Sequence, residues 1–365
     1  MTNTEKKCSK CLLTDNIEGV SIGENNVCNY CSEYTPFKPY GEETLLKIFK
    51  KAQSKKKTYD ALVPISGGKD STYVLYLAVK KYGLKVLTYT FDNGFMCELA
   101  IKNIENAVKT CGVDHIWVKH DTKFLDELYR TALINSGEIC GICGIGIERS
   151  MLKISEAWKT PLILLGHSPA EDNSFTSENI YDSNRLKAIL SNNSQINKNK
   201  VNRFLIFPNL NFISSYIYTK FGRFGKKVNI LYYLDMPSDQ EIAKIIKNEM
   251  NWLDSSHSEY SRHFDCLAEP FTNFIREKRF GYSRRMPQLC NMIRKNEITR
   301  EEAININNND KIEHLPINYE LVTSRLKLNE NDIKEIGNIP IHIFDDHTSK
   351  ANIFFKKARI MLKKN

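Results

Sequence analysis

The chain has 365 residues, 41% of them apolar and 26% charged, with a formal net charge of +9. That length and apolar content provide a sizeable core in two or three structural units, which excludes a disordered or fibrous chain. No apolar run reaches bilayer-spanning length, and no compact basic block with interleaved aromatics marks dedicated RNA binding; the moderate positive charge suits anionic ligands such as ATP, nucleotide sugars or RNA without selecting one.

Residues 1–10 are polar and lack the apolar core of a secretory leader, so a cytoplasmic protein with no membrane association is expected. In that compartment ten cysteines do not read as disulfides. Six of them form three Cys-x-x-Cys pairs, which points to metal or sulfur chemistry. The first two pairs, Cys8/Cys11 and Cys28/Cys31, are separated by sixteen residues, a zinc-ribbon spacing. Four thiolates close a tetrahedral site with no open position, so zinc there is structural. Residues 1–36 are too short to build a core alone, and the metal would supply their folding energy. An iron–sulfur cluster or four reduced thiols are the alternatives. Residues 36–40 read as a linker, and residues 42–54 have helical periodicity with an acidic start.

The apolar run at 61–65 reads as a buried parallel strand, and residues 73–79 read as a helix. Between them lies Ser66-Gly67-Gly68-Lys69-Asp70-Ser71-Thr72. Two glycines let the backbone turn sharply and approach a ligand, and the helix opening presents unpaired amides at the positive end of its dipole. The arrangement suits a polyphosphate. Lys69 adds a cation, Ser66, Ser71 and Thr72 add hydroxyls, and Asp70 can hold magnesium. The spacing is shorter than that of a Walker A loop. An ordinary Ser/Gly turn before a helix is the alternative.

Residues 85–95 read as a second strand ending in Asp92-Asn93-Gly94. In open parallel sheets ligands meet the carboxyl ends of strands, which places Thr90, Phe91 and Asp92 against an adenosine; the same tripeptide is also an ordinary turn. A helix at 97–110, a strand at 116–118 and a helix at 122–136 follow, and the alternation indicates a doubly wound α/β parallel sheet. The third pair, Cys140/Cys143, sits in a Gly-rich stretch before a helix expected at 147–158. It reads as a metal, redox or sulfur-handling pair, or as small residues packed in a turn. A fourth strand at 161–167 ends in Gly166-His167, with Glu171 and Asp172 just beyond. His167, Glu171 and Asp172 are candidates for magnesium, substrate or proton handling, although a lone loop histidine is more often structural.

Residues 174–204, rich in Asn, Ser and Lys, read as a flexible insertion or lid. A strand at 229–234 and a capped helix at 238–250 close the nucleotide domain, expected at 58–250. Residues 251–365 form a mostly helical C-terminal region for substrate or partner. Its start is dense in polar and aromatic groups, including Asp265, Cys266, Arg284 and Arg285, the arginines suited to phosphate or carboxylate. A solvated face with scattered aromatics is the plainer reading. From residue 305 onward no chemical signal is legible.

Three stretches together resemble one family. They are the N-terminal Cys-x-x-Cys with Asn26-Val27-Cys28-Asn29-Tyr30-Cys31, the Ser66–Ser71 loop, and Lys278-Arg279-Phe280-Gly281-Tyr282-Ser283-Arg284-Arg285 with Ile298-Thr299-Arg300-Glu301-Glu302-Ala303. The family is the N-acetyl sugar amidotransferases, a branch of the PP-loop ATP pyrophosphatases that serves lipopolysaccharide and flagellin-glycan synthesis. The resemblance covers residues 5–305. It implies an adenine nucleotide alpha hydrolase-like sheet behind an N-terminal zinc ribbon. It also implies an enzyme that adenylates the amide oxygen of an N-acetyl sugar, releases pyrophosphate, and lets ammonia replace AMP to leave an acetamidino group. The implied cofactors are ATP, Mg2+ and Zn2+. The implied partners are a glutaminase and its cyclase-like companion that supply ammonia, since no glutaminase nucleophile pattern is present here. Lys69, Asp70, Ser71, His167 and Asp172 are the implied catalytic set. Ser66, Gly67, Gly68, Thr90, Asp92 and Gly166 join the loop in holding the nucleotide. Cys140 and Cys143, with Cys266 or Cys290, also resemble the tRNA thiolation enzymes of the same superfamily. There, three thiolates hold an iron–sulfur cluster whose open iron carries sulfide. A sulfurtransferase acting on tRNA or a small amide, with Cys140, Cys143 and Cys266 as ligands, is therefore the competing expectation.

Overall fold

The computed structural model describes residues 5–167, 178, 180–191, 193, 196–205, 218, 220–254, 265–309, 315–348 and 350. Five parallel strands form its centre: β1 (Ala61–Pro64), β2 (Val86–Asp92), β3 (Asp114–Lys119), β4 (Leu162–Leu165) and β5 (Lys226–Asn229), in the order β3-β2-β1-β4-β5. The helices around and beyond them begin with α1 (Asn29–Ser32), α2 (Glu42–Gln53), α3 (Lys69–Tyr76), α4 (Glu98–Cys111), α5 (Thr122–Ser136) and α6 (Cys140–Trp158). They continue with α7 (Ser183–Ser191), α8 (Lys198–Leu205), α9 (Asp239–Met250), α10 (Glu269–Phe280), α11 (Met286–Arg294), α12 (Arg300–Asn309), α13 (Tyr319–Arg325) and α14 (Glu330–Gly337).

β1, β2 and β4 are near-continuous apolar runs because helices cover both of their faces. Leu62, Leu87, Tyr89 and Ile163 bury into one core with α5, α6 and α7. Ala61, Val63, Val86 and Leu164 bury into the other with α2, α3, α4 and α9. From β1 the chain winds outward through α3, β2 and α4 to β3. It then crosses the sheet by α5 and α6 and returns as β4 on the other side of β1. The winding direction reverses between β1 and β4, so the loops leaving those two strands part and open a crevice at their carboxyl ends. The doubly wound α/β sheet and the helical C-terminal region match expectation. Among the described residues no helix is long and apolar enough to cross a membrane.

Three local expectations are corrected. The strand expected at 229–234 is displaced. β5 pairs Leu162↔Lys226 through Leu165↔Asn229, and Ile230–Tyr233 then turns as a 3-10 helix. That turn puts both Ile230 and Leu231 into the core, which a two-faced edge strand would not do. Within the insertion expected at 174–204, α7 and the greater part of α8 are helical. Its polar composition hides apolar side chains at helical spacing, Leu186, Ile189 and Leu190 in α7 and Val201, Phe204 and Leu205 in α8, all buried. Cys140 and Cys143 lie within the first turns of α6 rather than before a helix at 147. The Glu138 carboxylate accepts from the Cys140 N–H at 2.7 Å and starts the helix there. The neighbouring glycines serve close packing: a Cβ on Gly144 would lie 2.3 Å from the Tyr181 ring, and one on Gly146 2.4 Å from Phe91.

The C-terminal helices are tied to the α/β unit by a buried ionic group. Arg279 of α10 donates to Glu178 at 2.8 Å and to the carbonyls of Gly137, Ile339 and Pro340. Arg185 of α7 reaches the same Glu178 at 3.4 Å and Asp345 at 2.9 Å. Removing one member strands a charge in the interior, a cost of about 3–5 kcal/mol.

Candidate active site and metal centre

The loop after β1 is a built anion cradle. Gly67 adopts φ +80°, and a Cβ there would lie 2.3 Å from the Ala100 carbonyl oxygen. Glycine is therefore required on both conformational and steric grounds. Gly68 caps α3 in an extended conformation with no side-chain cap, so the first amides of α3 face outward. Ser71 and Thr72 donate to the Gly68 carbonyl at 3.1 and 2.9 Å, and Ser71 Oγ accepts from the Ser66 N–H at 3.2 Å. These bonds fix the shape of the loop by tying Ser66 and Gly68 to the first turn of α3. From outside, the indole N–H of Trp252 donates to the Gly67 carbonyl at 2.9 Å, and the fully buried Asn103 donates to it at 3.3 Å. Asn103 also bridges to the Leu253 carbonyl and N–H.

The cradle opens into a cleft of about 240 Å³ whose lining includes Ile65, Ser66, Ser71, Thr90, Asn93 and Asp265. It lies at the carboxyl ends of β1 and β2, the side of the sheet where the topology places a ligand. Thr90 lines it while donating to the Ile65 carbonyl at 2.6 Å. Gly166, at the end of β4, packs on the Asp70 backbone; a Cβ there would touch it at 3.4 Å. Lys69 points sideways to Asp239 in the first turn of α9 and to Asp70 at 3.3 Å. Asp92 is placed away from the cleft lining. It accepts from the Gly94 N–H at 2.8 Å and pairs with Lys119 at 3.1 Å, so its side chain serves the turn. His167 is exposed at the end of β4. Glu171 and Asp172 lie outside the described residues. Asn103, Trp252 and Asn93 were not singled out from the sequence; a polar Asn103 among Ala100, Ile104 and Ala107 on the buried face of α4 is the signal that was there to read.

Asn93 joins two half-buried thiols to this cleft. Its amide donates to Cys266 at 3.6 Å and also lies in hydrogen-bonding contact with Cys143, while Tyr129 meets Cys143 at 3.3 Å. Cys266 lines the cleft itself. Burial pushes the Cys143 thiol up to about 11, Cys266 up to about 12, and Cys140 well above its ordinary value.

The second centre is N-terminal. The sulfurs of Cys8, Cys11, Cys28 and Cys31 all lie within 4.8 Å of one another, with Cys11 and Cys28 at 3.6 Å. Zinc–thiolate bonds of about 2.3 Å put tetrahedral sulfurs about 3.8 Å apart, so the donor set fits one ion. Burial opposes ionisation of Cys8, but N–H groups of Cys28, Cys11 and Lys10 outweigh it and lower the thiol to about 7. Cys11 is raised by contact with Cys290, and Cys31 by contact with Cys11. A cation is what allows four thiolates to share this space. The surroundings come from the C-terminal region: Cys290 of α11 touches Cys11, Arg294 lies against Cys31, and Arg300 donates to the Cys11 carbonyl at 3.2 Å. Nε and Nη2 of Arg294 are buried with no hydrogen-bond partner among the described residues, two donors beside a site that becomes anionic when metallated.

A parallel sheet with an anion cradle at the carboxyl ends of its strands is suited to a phosphate-bearing ligand. Residues 60–143 match the family profile of the queuosine biosynthesis protein QueC, and residues 255–361 match that of the C-terminal domain of WbpG-like LPS biosynthesis proteins. Two separate stretches of the chain are thus similar to known families, one to QueC and one to the C-terminal domain of WbpG-like proteins. An uncharacterized protein of Methanocaldococcus jannaschii is 32% identical over 115 residues, which are 30% of this chain and 40% of that protein. The chain thus spans about two fifths of the curated relative it matches. Among solved structures, the U34-tRNA thiolase NcsA from Methanococcus maripaludis with its [4Fe-4S] cluster is 16% identical over 89% of both chains, with a TM-score of 0.38. An NH3-dependent NAD synthetase from Campylobacter jejuni is 14% identical over 57% of this chain and 91% of its own, with a TM-score of 0.29. Those scores decide nothing about activity.

Proposed function

We propose that the protein is an ATP-dependent, AMP- and pyrophosphate-forming amidotransferase that converts an N-acetyl group of a sugar into an acetamidino group for surface-glycan synthesis. The observation that carries the reading is one chain joining a PP-loop to a WbpG-like C-terminal domain. An amide oxygen is a poor leaving group, so the amide must be activated before nitrogen can replace it. The acetamido oxygen attacks the α-phosphorus of ATP, the bond to the β-phosphate oxygen breaks, and pyrophosphate leaves. Ammonia then adds to the imidate carbon, the carbon–oxygen bond breaks, and AMP departs with the former amide oxygen. A proton is lost from the added nitrogen.

The outward amides after Gly68, with the Ser66 and Ser71 hydroxyls, hold the phosphates and take up charge as it shifts to pyrophosphate. Thr90 and Ile65 line the adjoining cleft for the nucleoside. Asp70, whose side chain is 39% exposed beside the loop, is a hard oxygen ligand for the magnesium that neutralises the phosphates. Lys69, held by Asp239, can swing to the departing pyrophosphate. His167, just beyond β4, and Asp172 remain proposed catalytic residues. Ammonia would come from glutaminase and cyclase-type subunits, and a cytoplasmic setting goes with these soluble substrates. The test is incubation with ATP, ammonia and a panel of nucleotide-activated N-acetyl sugars, with nucleotides resolved by chromatography. AMP, pyrophosphate and a product lighter by one mass unit are expected; ADP alone, or no turnover with any sugar, rejects the reading.

A second reading is favoured by one observation: Cys143 and Cys266 meet at Asn93 on the cleft wall. With Cys140 they would hold an iron–sulfur cluster, sulfide would replace ammonia, and tRNA or a small amide would be the acceptor. Iron and acid-labile sulfide in anaerobically prepared protein support that reading; zinc alone excludes it.

A further inference from the structure

The WbpG-like domain does not only follow the nucleotide site; it reaches into it. Residues 265–267 lie against 95–97 as a short antiparallel pair: the Cys97 N–H donates to the Asp265 carbonyl at 3.4 Å, the Leu267 N–H donates to the Phe95 carbonyl at 2.6 Å, and Met96 bridges Cys266. This pairing hangs the Asp265 side chain over the phosphate cradle. Its Oδ2 lies 3.7 Å from where a Cβ on Gly68 would stand, and the residue lines the same cleft as Ser66 and Ser71. The charge is of the wrong sign for that position, because a loop of outward amides at a helix N-terminus is built for an anion. Among the described residues no cation lies in ion-pair range of Asp265, and the loop's own Lys69 is engaged by Asp70 and Asp239. A carboxylate and a triphosphate share such a space only with a cation between them.

Resting on the ATP reading, we propose that Asp265 is the oxygen ligand that the C-terminal domain contributes, with Asp70, to the divalent cation accompanying ATP. Nucleotide is thereby admitted as its metal complex and repelled without it. The domain that selects the acceptor also completes the nucleotide site, so the two substrates are read by one rigid unit.

The test is calorimetric binding of a non-hydrolysable α,β-methylene ATP analogue to the full chain and to Asp265→Asn, each with excess Mg2+ and with EDTA. Asn keeps the size and the backbone pairing of the segment, and matched melting curves confirm the fold. Asp265→Asn should weaken the magnesium complex roughly 10- to 100-fold, the scale of one contact to a charged group. It should tighten the metal-free analogue, because a like charge is gone. Manganese counted by electron paramagnetic resonance at fixed analogue should fall in parallel. Opposite signs with and without metal are the signature; a residue acting only through structure moves both affinities together. Equal loss in both conditions, or no change in either, overturns the inference. If the unaltered chain binds the analogue in neither condition, the ATP reading itself fails and this inference falls with it.

Discussion

Gly67→Ala tests the cradle at its least forgiving point. The substitution places a methyl group 2.3 Å from the Ala100 oxygen and 2.9 Å from its carbonyl carbon and Cα. All three are backbone atoms in the first turn of α4, so no side chain can swing aside. Holding φ at +80° with a Cβ costs roughly 1–2 kcal/mol, and the clash adds roughly 1–3 kcal/mol of overpacking. Relief requires the loop and α4 to part, which also breaks the Trp252 and Asn103 bonds to the Gly67 carbonyl. A loss of about 2–5 kcal/mol in urea unfolding is expected, together with loss of measurable ATP binding by calorimetry. Gly68→Ala is the internal control. That residue is at φ −73° and a Cβ there meets only Ser66 Oγ at 3.3 Å and Asp265 Oδ2 at 3.7 Å. Its stability should change by under about 1 kcal/mol, while ATP binding falls because the methyl group projects into the phosphate space. A Gly67→Ala protein as stable as the parent and still binding ATP would refute the cradle geometry.

Asn103→Leu leaves the Leu253 N–H and carbonyl without their buried partner and should cost about 1–3 kcal/mol in urea unfolding; a neutral result would mean water replaces it. Cys28→Ser should lose whatever metal the four-cysteine site holds in metal analysis, whereas Cys290→Ser should keep it, because Cys290 touches the thiol group from outside the four sulfurs. Hydrogen exchange across 286–309 should speed up in the Cys28 variant alone; unchanged exchange would detach the metal from the C-terminal helices. His115 is held down to about 4 by burial. Below pH 6.5 the unfolded chain binds a proton that the native one does not, so stability falls from pH 6.5 toward pH 4 and is recovered above it. His115→Gln should flatten that part of the stability–pH curve by roughly 2–3 kcal/mol, and an identical curve would show that another group titrates.

What was legible in the sequence was local. The apolar runs of β1, β2 and β4 announce strands covered on both sides, and the Ser238 capping box announces α9. The two glycines after β1 announce the cradle, and the first two cysteine pairs announce their own cluster. What was missed depends on partners far along the chain. Trp252 reaches Gly67 across 185 positions and Asn103 reaches Leu253 across 150; no periodicity encodes such a meeting. Asp92 carried two readings of equal local merit, and only the placement of Lys119 on the neighbouring strand turned it toward the turn. The Gly-rich run at 141–146 resembles a flexible turn until Tyr181 and Phe91 are seen to occupy the space its missing side chains leave.

The cysteine knot has a consequence for how the chain is made. Its four sulfurs are made before Cys290, Arg294 and Arg300, which clasp it and are translated some 260 positions after Cys31. Throughout that interval the cluster waits half-dressed, and a metal ion would have time to load before the clasp closes. The dependence also runs backward: Tyr282 and Cys290 are sealed from water by Cys8, Cys11, Leu13 and Cys28. Trimming the first 36 residues as a dispensable tag would therefore bare a sticky apolar seam on the C-terminal helices, and the shortened protein should clump rather than merely lose a metal.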